Sequence, residues 1–201
     1  MCILTKRNKM GYRGVGNWSR NRQKELLYSF FCFWALLLYA HFSWKMCVRA
    51  DAHGHAFALF GVDFTLAMYK LSCNTAEWSA SVLQMLGAKI RATDDLLTTN
   101  SGFSVRVIWA CTSVKQLYMF LFVMLFFDKI TRIKLFYMIA GGLLLFFFNL
   151  LRIGLIAEWS KQNPAAFVIW HELFQVAYYG LLFVIWLLWV ECFSKYQNSF
   201  R

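Results

Sequence analysis

The sequence predicts an all-α fold, a polytopic transmembrane helical bundle, with a small extracytoplasmic interfacial segment in which a β-hairpin is read. Three observations predict it. Hydrophobic residues make up 60% of the 201 residues and aromatics 19%, and the mean hydropathy of +0.48 is too high for an ordinary soluble domain. Several apolar runs reach the roughly 20 residues that cross a bilayer. Lysine and arginine gather at the N-terminus and beside those runs, where the positive-inside rule places cytoplasmic segments.

The elements follow in order. Residues 1–25 carry Lys6, Arg7, Lys9, Arg13, Arg20, Arg22 and Lys24, a basic tail expected on the cytoplasmic side. A first span over 26–44, Leu26 to Trp44, leads outward. It is too long for the apolar core of a cleavable signal and has no small-residue exit, so no signal peptide is expected. Residues 45–104 read as an outer, interfacial or re-entrant segment. Within it, 55–71 is apolar but short and carries Asp63 and Lys70, so re-entrant packing is preferred over a span. In 77–87, Trp78, Val82, Met85 and Leu86 recur at helical spacing and Gly87 offers a stop. The stretch from Ala88 to Trp109 reads as two β-like segments around an Asn-Ser-Gly turn.

Three further spans are expected at 105–127, 135–158 and 165–190. Between the first two of these, Lys129, Arg132 and Lys134 mark a cytoplasmic loop. The turn after the next contains Pro164, and 191–201 forms a cytoplasmic tail. No internal repeat, linker or second domain is visible.

The formal charge of +11 does not indicate nucleic acid, because the cations form no basic stripe on a folded face. Their placement fits topology and contact with anionic lipid headgroups. Six cysteines show no CxxC spacing. Cys32 and Cys192 fit small buried hydrophobes, while Cys47 and Cys73 flank the outer segment where they could pair. No cofactor is expected. Asp51, His53 and His55 could hold a metal, but a solvated polar loop is the favoured reading, so no metal site is assigned.

On this topology Cys111, Arg152 and His171 each lie about six residues from the outer end of a span, about 9 Å deep. An arginine inside an apolar helix costs several kcal/mol unless it meets a partner or cavity. Asn149 shares its helix face one turn earlier. A thiol, an imidazole and a guanidinium at one depth suit acyl transfer. The thiolate attacks, the imidazole moves the proton, and the guanidinium stabilises negative charge.

The stretches ACTSVKQLYMFLFVMLFF, NLLRIGLIA and WHELFQ, in that order and spacing, resemble the exosortase/archaeosortase family of membrane cysteine transpeptidases. The resemblance runs over about residues 82–190 and is closest to the compact variants of the family. It implies Cys111, Arg152 and His171 as the catalytic set, with Asn149 as the motif asparagine. Ser113 stands where the family usually has a glycine and is read as a packing residue. Gln175 is counted with Asn149 and Ser113 as a supporting position. The resemblance further implies as partners exported proteins that end in a short motif, a spanning helix and a basic cluster. They would be cleaved outside the bacterial or archaeal cytoplasmic membrane and transferred to an acceptor.

Two other chemistries are weaker. The HELFQ run lacks the second histidine of an H-E-x-x-H zinc site, since Gln175 occupies that place. A non-enzymatic transporter or assembly subunit could use Arg152 and Asn149, with Lys115 as a further cation, to hold an anion or a partner helix.

Overall fold

The computed structural model describes residues 12–51, 56–127, 130–161, 163 and 165–193. Lys6, Arg7, Lys9, His53, His55, Lys129, Pro164, Lys195 and Arg201 lie outside the described residues, as do the expectations that rest on them. The order is α1 (Tyr12–Cys47), β1 (Val48–Ala50), β2 (Phe57–Leu59), β3 (Val62–Asp63), α2 (Thr65–Met85), β4 (Ile90–Thr93), β5 (Leu96–Thr99), β6 (Ser104–Arg106), a 3₁₀ turn (Trp109–Cys111), α3 (Val114–Phe127), α4 (Arg132–Ser160) and α5 (Ala166–Leu188), which continues as a π turn (Trp189–Phe193).

Three helical stretches are long and apolar enough to cross a membrane: Leu27–Cys47, Arg132–Ser160 and Ala166–Glu191. Large apolar side chains stay exposed on them, among them Phe31 and Leu38 on α1, Leu144 and Phe147 on α4, and Ile169 and Val176 on α5. Such a surface suits a lipid solvent. The opposite faces pack together as one core in which Phe33, Phe120, Leu145, Leu182 and Trp186 are buried.

The expected span at 105–127 is only partly helical. The helix begins at Val114, because the preceding residues pair as β6 and then turn. Fourteen residues rise only about 21 Å, short of a bilayer core of about 30 Å. Lys134, counted above in a loop, lies in the first turn of α4 and is buried. That helix is capped by Thr131, whose hydroxyl accepts the Lys134 N–H at 3.2 Å, as a good N-cap residue does.

The segment 45–104 also differs from expectation. The later part of 55–71, from Thr65, and most of 77–87, read as separate pieces, belong to the single 21-residue helix α2, while Phe57–Leu59 and Val62–Asp63 form β2 and β3. Its buried face is Ser72, Thr75, Ala76, Ser79, Ala80 and Leu83, a stripe of mostly small residues. That stripe allows close approach to α4, where a Cβ on Gly154 would collide with the Leu83 side chain. α2 ends as expected at Gly87 (φ +88). The Gly87 N–H donates to Gln84 O and the Ala88 N–H to Leu83 O, each at 3.0 Å, which is the Schellman arrangement.

The expected hairpin forms as β5 and β6, within one of two small antiparallel sheets, β1-β2-β3 and β4-β5-β6. Leu59 pairs with Val62 across Phe60 and Gly61, both at positive φ, as a two-residue hairpin turn demands. Thr93 pairs with Leu96 across Asp94 and Asp95, and the Asn-Ser-Gly turn joins β5 to β6. Sheet, α2 and α4 share a second core containing Leu83, Ile90, Leu97, Val107 and Ile153. Cys47 and Cys73 are both free thiols.

Candidate active site

The site is built on a reversal of the chain between β6 and α3. Ile108 is extended (φ −97, ψ 172). The 3₁₀ turn closes when the Cys111 N–H donates to Ile108 O at 2.8 Å and the Thr112 N–H to Trp109 O at 3.1 Å. The Thr112 hydroxyl adds a bond to Trp109 O at 2.7 Å, and the Trp109 indole N–H donates to Asp51 O at 3.1 Å. Ser113 then adopts φ +64, a left-handed conformation that crowds any Cβ, and α3 begins. Cys111 is therefore not six residues inside a helix; it precedes α3.

Two hydrogen bonds to α4 show which of the expected residues come together. Asn149, fully buried, donates its Nδ2 to Cys111 O at 2.7 Å and fastens the turn to α4. One turn later Arg152, only 4% exposed, places Nη2 3.2 Å from His171 Nε2. A guanidinium only donates. The imidazole Nε2 is thus the acceptor, which puts the proton of a neutral ring on Nδ1. The His171 ring also lies nearly parallel to Phe167, with centroids 6.0 Å apart. Arg152, not Cys111, is the hydrogen-bond partner of His171 in this arrangement.

Cys111 is half-buried and packs against the second core. Burial pushes its thiol above the ordinary value, while the hydrogen bonding at Ile108 and the positive charge of Arg152 pull the other way. Two buried atoms of the cluster, Arg152 Nε and Asn149 Oδ1, make no hydrogen bond. A donor and an acceptor thus stay unsatisfied one helical turn apart, a costly arrangement in a closed site.

Ser113 is buried and Gln175 is exposed. Gln175 makes no hydrogen bond among the described residues. Tyr178, which sequence reasoning passed over, is buried, donates its hydroxyl to Leu145 O at 3.1 Å, and interacts electrostatically with Arg152. Its signal was its place seven residues after His171, on the same helix face. Among the described residues no group of three or more metal-ligating side chains comes together.

The family model for transmembrane exosortases matches residues 17–189. The chain belongs to the transmembrane exosortase family. No curated protein and no solved structure gives a match.

Two outcomes follow from this geometry. Ser113→Gly should raise the stability of the detergent-solubilised protein by about 1 kcal/mol, since glycine accepts the left-handed conformation without a Cβ clash. Thermal unfolding followed by tryptophan fluorescence would measure it, and a loss of stability would refute strain at this position. The Cys111 thiol should alkylate with a midpoint pH above that of an ordinary thiol. Arg152→Gln should move the midpoint higher still, because it removes the cation that favours thiolate. Iodoacetamide rates against pH in a variant lacking the other cysteines would show this.

Proposed function

We propose that this chain is a membrane cysteine transpeptidase that cleaves C-terminal sorting signals of exported proteins and passes the new C-terminus to an acceptor. The observation that carries this reading is a pair of hydrogen bonds, from Asn149 to the Cys111 carbonyl and from Arg152 to His171, made by two buried side chains one turn apart on α4. Family membership supports the substrate class. Positive-inside reasoning supports the sidedness: the basic N-terminal tail and the segment around Arg132 lie in the cytoplasm, the short α3 with its flanking residues makes the crossing between Arg132 and Cys111, and the Cys111 turn faces out of the cytoplasmic membrane.

The roles follow from the groups. Cys111 Sγ attacks the scissile carbonyl carbon and forms a thioester as the C–N bond breaks. Arg152 Nη2, drawn onto the carbonyl oxygen, stabilises the oxyanion in a partly water-excluded site. Its departure frees His171 Nε2, which takes the thiol proton and returns it to the leaving amine. The free Arg152 Nε and Asn149 Oδ1 provide a donor and an acceptor for the substrate backbone. Asn149 otherwise positions the nucleophile through the Cys111 carbonyl. An acceptor amine or hydroxyl, or water, then resolves the thioester.

Cys111→Ala should abolish processing of a co-expressed reporter that ends in a motif, a spanning helix and a basic tail, with membrane insertion unchanged. Arg152→Lys should lower the rate about 10²- to 10³-fold, as loss of an oxyanion donor does. Immunoblotting of precursor and product reads both. Processing that continues in Cys111→Ala would sink the cysteine mechanism and leave the reading of a non-enzymatic membrane subunit that binds an anion or partner helix through Arg152 and Asn149. A membrane-impermeant maleimide should modify Cys111 from outside intact cells and not from the cytoplasmic side of inverted vesicles.

A further inference from the structure

A cavity of about 200 Å³ lies beside the Cys111 turn. One wall is the first half of α2, where Met68, Tyr69 and Ser72 face it; the other is the chain from Arg106 through Ile108 to Trp109. Its volume is below that of small-molecule and cofactor sites, roughly 300–1,000 Å³. It suits one or two amino-acid side chains instead.

The second wall has a backbone property that fixes what could bind. β6 is an edge strand, paired only with β5. The Thr99 N–H donates to Phe103 O at 2.9 Å and the Val107 N–H to Asp95 O at 2.8 Å, while Val105 pairs with Leu97. Residues 103, 105 and 107 therefore turn their backbone groups toward β5, and in an antiparallel ladder the alternate residues turn theirs away. The Arg106 N–H and C=O and the Ile108 N–H thus lie on the free edge, and none makes a backbone hydrogen bond outside the ladder among the described residues. The Ile108 C=O is already taken by the Cys111 N–H. The Arg106–Asp95 ion pair, at 3.4 Å, braces this wall.

We propose that this cavity is a recognition subsite for an extended polypeptide, which adds as a strand to the free edge of β6 and sends one side chain between Tyr69 and Trp109. The occupant is the substrate stretch just before the scissile bond. Main-chain hydrogen bonds supply the binding and the cavity supplies selectivity, as in other strand-addition sites. Direction supports the assignment: the wall runs from Arg106 to Ile108 and reaches Cys111 three residues later. A strand held on it is delivered to the thiol from the side of the sheets, away from the helix core. The inference rests on the transpeptidase reading for the identity of its occupant.

The test compares Arg106→Pro with Arg106→Ala in the full-length, membrane-embedded protein. Proline at an outward-facing edge position leaves the bonds to β5 intact but removes the outward N–H; alanine removes only the side chain. Binding is read in a Cys111→Ala background by photo-crosslinking from p-benzoylphenylalanine in place of Tyr69 to the reporter described above. Crosslinks should fall on reporter residues immediately before the cleaved bond. Arg106→Pro should weaken them about five- to tenfold relative to Arg106→Ala, the worth of a lost main-chain hydrogen bond. If the reporter is cut in a Cys111-dependent way but crosslinks are absent from position 69, or equal in the two variants, the subsite is wrong and the transpeptidase reading stands. If the reporter is never cut yet crosslinks with the proline sensitivity, the peptide site stands and the transpeptidase reading fails.

Discussion

The constraint on which the rest of the structure depends is the guanidinium of Arg152, buried in the last third of the apolar helix α4. An unpaired charge at this depth costs several kcal/mol, so the neighbouring elements are arranged around it. α5 must present His171 toward α4 at hydrogen-bonding distance, which fixes the rotation of α5 and brings Tyr178 inward two turns later. Asn149, on the same face of α4, has to find a partner for its own buried amide and takes the carbonyl of Cys111. Two residues beyond Arg152, Gly154 lets Leu83 of α2 approach so closely that a side chain there would collide. Two turns of α4 therefore set the placement of α5, of α2 and of the Cys111 turn.

Much of this is legible in the sequence where a single physical signal dominates. The long apolar runs between 26 and 190 mark α1, α4 and α5 because lipid demands continuous apolar surface and internally paired backbone. The Schellman stop at Gly87 is legible for the same kind of reason, as a residue that can adopt a positive φ after a helical repeat. α2 is harder to read because its buried stripe is made of Ser72, Thr75, Ala76 and Ser79, which carry almost no hydrophobic periodicity. Small residues pack well against a helix, yet in a sequence they look like a loop. The β1-β2-β3 sheet is illegible for another reason: strands of two or three residues are shorter than the alternation needed to detect them.

At the stretch from Val105 to Trp109 the expected element is not the one that forms. Its apolar run is compatible with a helix start or a short strand, and hydropathy favours the former. The ladder to β5 decides for the strand, and Cys111 moves from the interior of a span to the turn that precedes it. The turn is nevertheless tied to α4 one helical turn before Arg152, through the hydrogen bond from Asn149 to the Cys111 carbonyl. The sequence could place Arg152 and His171 on their helices but could not supply helix rotation. The direct contact between those two side chains, with the thiol outside it, is a tertiary fact.

That contact also bears on the reactivity of the Cys111 thiol. Burial favours the neutral thiol, and the one nearby cation that opposes it is held by His171 Nε2. Base and cation occupy each other, so the resting cluster has little capacity to generate thiolate. On the proposed reading, the group that resolves this deadlock is the substrate carbonyl, which competes for Arg152 and so releases the imidazole. Ser113, immediately beyond the turn, holds a left-handed backbone conformation, and Asn149 fixes the Cys111 carbonyl, so the turn is held from both sides. Reactivity would then arise only in the complex, where a strand on the edge of β6 and a carbonyl at Arg152 are present together.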